Sequence, residues 1–360
     1  MKLIVNNSFD LPRRIESIQI LRFLAAICIA FSHFSIVSSF EHTSNAVSFC
    51  LNFFFALSGF IVMLSTKNEI KKKGFFVRRL IRLVPLYWIL TIATFAVAQF
   101  SKGLLGYIPT VEHLLKSLFF IPFTRTALKS ANTIRPIVGL GHTLQMEVFF
   151  AVIFMLCMKI SHKYRGLISG CVLIGLAIIG KIVPFENTIL KFYINRNYLA
   201  LLSFAVGIGC YYILRFMQNK SMKNKLMLLF SGIGGAFAIA AWGILSICTE
   251  SNNLGNLFLY LTFGAMLIFA TAYSSAGGKA PNLLVKLGDA SFSFYLIHYF
   301  VISVAERVLR IDSFSLANAF LIIVIVMMCW VISYLSYLII EKRFGGWLTH
   351  KYNKLLEKRT

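Results

Sequence analysis

Apolar residues run for about twenty positions at a time, break for a short polar stretch and resume, from residue 18 to residue 340. Roughly 20 apolar residues are what an α-helix needs to cross the hydrocarbon core of a bilayer. On that criterion the pattern predicts spans near 18–38, 46–65, 84–101, 142–160, 166–184, 196–216, 226–248, 254–274, 291–308 and 315–340. A further piece, "VEHLLKSLFFIPF" at 111–123, is shorter and is interrupted by Glu112, His113 and Lys116. It reads as interfacial or re-entrant. The expected fold is therefore all-α: one polytopic integral membrane domain over residues 1–360 with about ten transmembrane helices. A segment at 1–17 precedes it and a basic tail at 341–360 closes it.

Composition agrees, since 58% of the residues are hydrophobic and only 14% are charged. The 36 Lys and Arg against 13 acidic residues fall in clusters between apolar runs, so the charge reads as a topology and anionic-lipid signal with no nucleic acid implied. With the N-terminus in the cytoplasm, alternate connecting segments hold 25 Lys and Arg on the inner side and eight on the outer side. That asymmetry predicts both termini in the cytoplasm and requires 111–123 not to span. The first 17 residues lack the apolar core of a cleavable signal, so insertion is expected to use the first span itself. The last span lies close to the C-terminus, and no appended extracytoplasmic domain is expected. Seven scattered cysteines read as small core residues and form neither a disulfide nor a metal framework.

Charged side chains inside apolar runs carry the candidate chemistry, because burying one in a bilayer costs at least ~2.5 kcal/mol without compensation. Arg22 and His33 lie eleven residues apart in the first run. Eleven residues come to three turns plus about 20°, so they share a face about 16 Å apart along the axis and can line one path. The plainer alternatives are snorkelling for Arg22 and an interhelical hydrogen bond for His33. In "KKKGFFVRRLIRLVPLYW", expected to end a loop and open the third span, Arg79 and Arg82 are three apart and share a helical face. Such a pair suits an anionic ligand, although headgroup binding explains it as well. Glu147 stands in the fourth span with His142 at its lip, and a carboxylate at that depth is expected to partner His33 and set its tautomer. His298 follows Tyr295 in the ninth span, with hydrogen bonding as the simple alternative.

The Arg-x10-His of the first span, "NFFFALSGFIVML", "RRLIRLVPLYW", "GHTLQMEVFF" and "LGDASFSFYLIHYFVI" resemble, in that order, the landmarks of the membrane acyltransferase-3 family over residues 15–347. The "LGDAS" and "YLIH" pieces are most similar to its exopolysaccharide O-acetyltransferase branch. The resemblance implies transfer of an acetyl group from cytosolic acetyl-CoA to a hydroxyl of an envelope carbohydrate, an exopolysaccharide or O-antigen, lipid-linked or free. The location it implies is the bacterial cytoplasmic (inner) membrane. It makes His33, Glu147 and Arg22 the catalytic set, with His33 either taking the acceptor proton or carrying the acetyl group. Arg79, Arg82 and Arg78 would hold the phosphates of acetyl-CoA, and His298, Tyr295 and His142 would meet the substrate, with no metal. Asn52, His142 and Ala151 depart from the acidic, Trp and aromatic residues common in the family. From the residues alone, a secondary transporter or flippase using Arg, His and Glu as a proton relay remains the main alternative, with a non-enzymatic partner or sensor behind it.

Overall fold

The computed structural model describes residues 15–40, 42–67, 72–100, 107–125, 133–219, 224–248, 253–309, 311 and 315–357. Helices α1 (Glu16–Phe31), α2 (Ser35–Ser38), α3 (Thr43–Ser65), α4 (Lys72–Phe100) and the short α5 (Val111–Leu118) lead to a hairpin. Its strands β1 (Thr124–Arg125) and β2 (Thr133–Ile134) pair antiparallel, with Arg125 opposite Thr133. Next come α6 (Gly141–Ile160), α7 (Arg165–Ile182), α8 (Thr188–Leu190) with a π-helical turn at Lys191–Arg196, α9 (Tyr198–Asn219), α10 (Asn224–Cys248) and α11 (Asn253–Ser275). The chain closes with α12 (Asn282–Asp289), α13 (Ser291–Leu309), α14 (Leu316–Ser336), a π-helical stretch at Tyr337–Phe344 and α15 (Gly345–Glu357).

The fold is all-α and polytopic. Among the described residues nine helices are long and apolar enough to cross a membrane, and they coincide with the second to tenth expected spans. Leu229, Phe230, Ile233 and Phe237 of α10 are among the many large apolar side chains left on the outside, where lipid tails meet them. The thiols of Cys28, Cys50, Cys157, Cys171, Cys210 and Cys329 are free.

The first expected span differs from a single helix. α1 has 16 residues and ends at Phe31. The Ser32 hydroxyl donates to the Ile29 carbonyl at 2.6 Å, a local bond that competes with helix continuation. Three residues on, the Ser35 N–H and hydroxyl both donate to Glu306 of α13, at 2.7 and 2.6 Å, and α2 starts there. The helical register that would place Arg22 and His33 on one face therefore stops before His33. Non-helical backbone at membrane depth needs enclosing protein. α1 has it on two sides: Ala25 and Ile29 pack into the main core, while Ala26, Ala30 and Phe34 pack with Phe294, Ile325 and Trp330 of α13 and α14.

Two boundaries also move. α4 starts at Lys72, not near residue 84, so the Arg cluster lies on a helix instead of closing a loop. Residues 341–357, expected as a tail, continue helically from α14 and pack on α4. Residues 1–14 of the leading segment and 358–360 of the tail lie outside the described residues.

α6 runs antiparallel to α4, with Phe154 against Phe75 at 5.5 Å. Its first residue, Gly141, presses on Tyr87, whose ring would lie 2.6 Å from any Cβ there. Tyr87 is the sixteenth residue of α4, so α6 opens near the middle of that helix. The segment before it descends to the same level. The Gln99 side chain donates to Pro109 O at 2.9 Å, and Tyr87 and Trp88 donate to the carbonyls of Ser117 and Leu118 at 3.1 and 2.9 Å. Gln99 stands twelve positions after Tyr87, or about 18 Å along the helix. α5 thus runs back alongside α4, in keeping with a non-spanning 111–123.

α3 and α9 approach backbone to backbone. A Cβ on Gly207 would meet the Ala56 carbonyl, and one on Gly59 the Phe204 carbonyl. Small residues let backbones touch where lipid tails supply no hydrophobic drive, and Ser203 adds a hydrogen bond to Asn52 at 3.2 Å. Gly207→Ala should destabilise the protein by about 1–3 kcal/mol in thermal unfolding in detergent, because the added methyl has no room. Gly209→Ala, two residues on with open space around it, should stay within about 0.5 kcal/mol of wild type.

Candidate active site

A cavity of about 360 Å³ opens between α1, α3, α4, α6 and α13. Its lining includes Arg22, Ser58, Arg78, Arg79, Arg82, Thr143, Glu147, Ser291 and Tyr295. Four guanidinium groups thus face one lining carboxylate. Apolar walls from Phe54, Phe55, Ile61, Phe75 and Leu144 lower the local polarity and strengthen that positive field.

Arg79 anchors the site. Its guanidinium donates to both the Glu147 carboxylate and the Ser58 hydroxyl, and Ser58 donates to Glu147 at 2.9 Å. The rings of Phe75 and Phe150 lie 6.0 and 5.8 Å from the guanidinium carbon. Arg82, one turn further, approaches Glu341 at 3.7 Å, and Ser293 donates to the other Glu341 oxygen at 2.6 Å. Glu341 belongs to the π-helical stretch after α14, a local widening that recurs at functional sites. Arg22 donates to Gln19 at 2.9 Å. Arg82, Glu341, Asp289 and Glu147 are its charged neighbours.

Beyond the cavity the polar residues continue as a chain of rings. Tyr295 lines the cavity, and its hydroxyl bonds Thr143 at 2.9 Å and the Leu140 carbonyl at 3.3 Å. The His298 ring lies 6.0 Å from that of Tyr295 and 5.2 Å from that of His33, which also meets Tyr299 at 5.2 Å. His298 is fully buried; its Nδ1 donates to the Phe294 carbonyl at 2.8 Å, while Nε2 has no partner among the described residues. A ring with Nδ1 so engaged presents Nε2 as an acceptor.

The structure therefore brings Arg22, Arg78, Arg79, Arg82, Glu147 and Tyr295 around one cavity and places His33 and His298 behind Tyr295. Glu147 pairs with Arg79; the pairing with His33 expected from its position along α6 does not form. The reason is the register of α6: because this helix starts beside Tyr87, near the middle of α4, and runs antiparallel to it, Glu147 lies level with Arg79. His142, in the first turn of α6, sits against the Gly139 carbonyl at 2.9 Å and does not line the cavity. Sequence reasoning missed Ser58, Glu341 and Glu306. Ser58 was visible as the polar residue of "FALSGF", whereas Glu341 was assigned to the tail.

The fold and site define a polytopic helical membrane protein with a cationic, apolar-walled cavity inside the bundle and two imidazoles behind its Tyr295. Residues 15–337 match the acyltransferase-3 family model, described as an acyltransferase domain, and the chain belongs to that family: it is a multi-pass membrane acyltransferase. It is 30% identical over 258 residues to the exopolysaccharide production protein ExoZ of Rhizobium meliloti (strain 1021), covering 71% of this chain and 76% of that protein. It is 22% identical over 327 residues to the acyltransferase MdmB of Streptomyces mycarofaciens, covering 82% and 81%. No solved structure matches.

Removing one member of a buried ion pair leaves an uncompensated charge. Glu147→Leu is therefore expected to lower stability by about 3 kcal/mol in detergent unfolding, and the double variant Glu147→Leu with Arg79→Met should recover part of that loss.

Proposed function

We propose that this acyltransferase moves an acetyl group from cytosolic acetyl-CoA to a hydroxyl of a cell-envelope carbohydrate in the bacterial inner membrane. The observation that carries the reading is the succession, within one bundle, of a four-arginine cavity, Tyr295, His298 and His33. The likeness to ExoZ supports a polysaccharide acceptor, and the excess of Lys and Arg in alternate loops supports cytoplasmic termini and a cytosolic opening of the cavity. The donor and its acceptor then approach from opposite faces of the membrane.

Arg78, Arg79 and Arg82 suit the phosphates of the donor, since a guanidinium offers paired donors to phosphate oxygens. Glu147 neutralises Arg79 and fixes its orientation. Arg22, on the facing wall, stands where the pantetheine arm enters. At His33 the acceptor hydroxyl gives up its proton as its oxygen attacks the thioester carbonyl. A C–O bond forms, the C–S bond breaks, and the coenzyme A thiolate takes the proton back from the imidazolium. The rings of Tyr295 and His298 stand between the cavity and His33, so the acyl end of the pantetheine arm passes along them to reach the imidazole.

His33→Ala in nanodiscs should abolish transfer of radiolabelled acetyl from acetyl-CoA to polysaccharide with the thermal unfolding profile kept. A variant that transfers normally makes His33 a packing residue. Arg79→Gln with Arg82→Gln should raise KM for acetyl-CoA by about a hundredfold, two lost charge-assisted contacts of about 1.5 kcal/mol each. An unchanged KM would return this pair to lipid binding.

A further inference from the structure

A second cavity, of about 500 Å³, lies against α1 between that helix, α10 and α11. Contacts across it fix its levels. The Ser17 hydroxyl of α1 donates to the Ala270 carbonyl of α11 at 2.5 Å, and a Cβ on Gly232 of α10 would meet the neighbouring Phe269 ring at 3.6 Å. One turn along, a Cβ on Gly235 would meet Ala265 at 3.0 Å. Ile239 and Thr262 line the far end. α10 therefore leaves the side of the bundle where α1 begins as α11 returns to it.

Charge enters this cavity at one end. α11 stops at Ser275 in a turn that needs glycine. Gly277 has a φ of +82°, its N–H donates to the Ser274 carbonyl at 3.2 Å, and the Gly278 N–H returns to the Tyr273 carbonyl at 3.0 Å. The chain so folds back over the end of α11, where the Tyr273 hydroxyl donates to the Lys279 carbonyl at 3.3 Å. Tyr273 and Lys279 both line the cavity, and among the described residues Lys279 is the one charged group of its lining. Lys279 is exposed, as is Glu16 beside Ser17, and no ion pair among the described residues includes Lys279.

From Thr262 to Tyr273 α11 advances eleven residues, about 16 Å, which is close to half the ~30 Å hydrocarbon core of a bilayer. Ala236, Ile239 and Phe269 of the lining are exposed, so the cavity opens where lipid tails stand. An apolar cavity stays dry and takes an apolar molecule, and basic pockets between transmembrane helices hold acidic lipid headgroups. We infer that this cavity binds one anionic phospholipid of the leaflet at the N-terminal end of α1, with an acyl chain between α10 and α11 and the headgroup phosphate on Lys279. Ile20 and Leu21 face that chain, whereas the next residue, Arg22, lines the arginine cavity. α12 presses on α1 as well, since a Cβ on Gly288 would strike the Gln19 carbonyl. The lipid thus completes the seat of the helix that carries Arg22.

The test uses full-length protein in detergent, titrated with phosphatidylglycerol and phosphatidylcholine of identical chains and read by native mass spectrometry. A phosphatidylglycerol with a photoactivatable diazirine at the chain end, followed by peptide mapping, locates the tail. Phosphatidylglycerol is expected to bind about fivefold more tightly than phosphatidylcholine, the effect of one Lys at a membrane surface. Lys279→Gln should remove that preference, and Lys286→Gln, on α12 outside the cavity, should keep it. Crosslinks are expected within 235–239 and 262–266, and Ala236→Phe, which puts a ring into the cavity, should abolish them. Equal binding of the two lipids, a preference that Lys279→Gln leaves intact, or one lost as readily with Lys286→Gln overturns the inference. So do crosslinks spread evenly over the lipid-facing helices, or crosslinks that survive Ala236→Phe.

Discussion

The pairing of Arg79 with Glu147 and Ser58 is the interaction on which the architecture turns. It ties α4, α6 and α3 at one level inside the membrane, where neither charge is tolerable alone. Because Arg79 lies near the start of α4 and Glu147 near the start of α6, the pair forms only if α6 begins deep in the bundle. Tyr87 against Gly141 shows that it does. Arg22, Arg78 and Arg82 line the same cavity, with Arg22 bonded to Gln19 and Arg82 close to Glu341.

The depth of α6 has a consequence on the other side. Beside the second half of α4, past the start of α6, stand α5, the paired strands and buried Phe120, Ile134 and Ile137. The break in α1 is the matching feature of the facing wall, held by Glu306 through Ser35. Both irregular stretches occur where protein encloses them, as bilayer physics requires. His33, in the break after α1, meets His298 and Tyr299 of α13, so the polar rings gather where the first helix gives way.

Much of this was legible in the sequence for a physical reason: hydropathy reports lipid exposure directly, and nine expected spans are long helices here. The non-spanning nature of 111–123 was legible too, from its length and from the side it would otherwise impose on later loops. What hydropathy cannot report is depth. Apolar runs mark that α6 exists but not that it starts level with Tyr87, and so Glu147 was assigned to His33 instead of Arg79. Helical periodicity likewise extrapolated α1 through His33, because the acceptor that ends it, Glu306, lies 271 residues away from Ser35. Arg79 and Arg82 were correctly placed on one face, since that depends only on local spacing. Glu341 went unseen because a π-helical stretch carries the last span beyond its apolar run.

The central claim is that one continuous polar route joins the arginine cavity to His33 through Tyr295 and His298. A cryo-electron microscopy structure in nanodiscs with a non-hydrolysable acetyl-CoA analogue tests it most directly. The account predicts phosphate density against Arg79 and Arg82, with the acyl end of the pantetheine arm reaching the Tyr295–His298 rings below His33. Density for the analogue on the lipid-facing surface, or with its acyl end directed away from those rings, would contradict it.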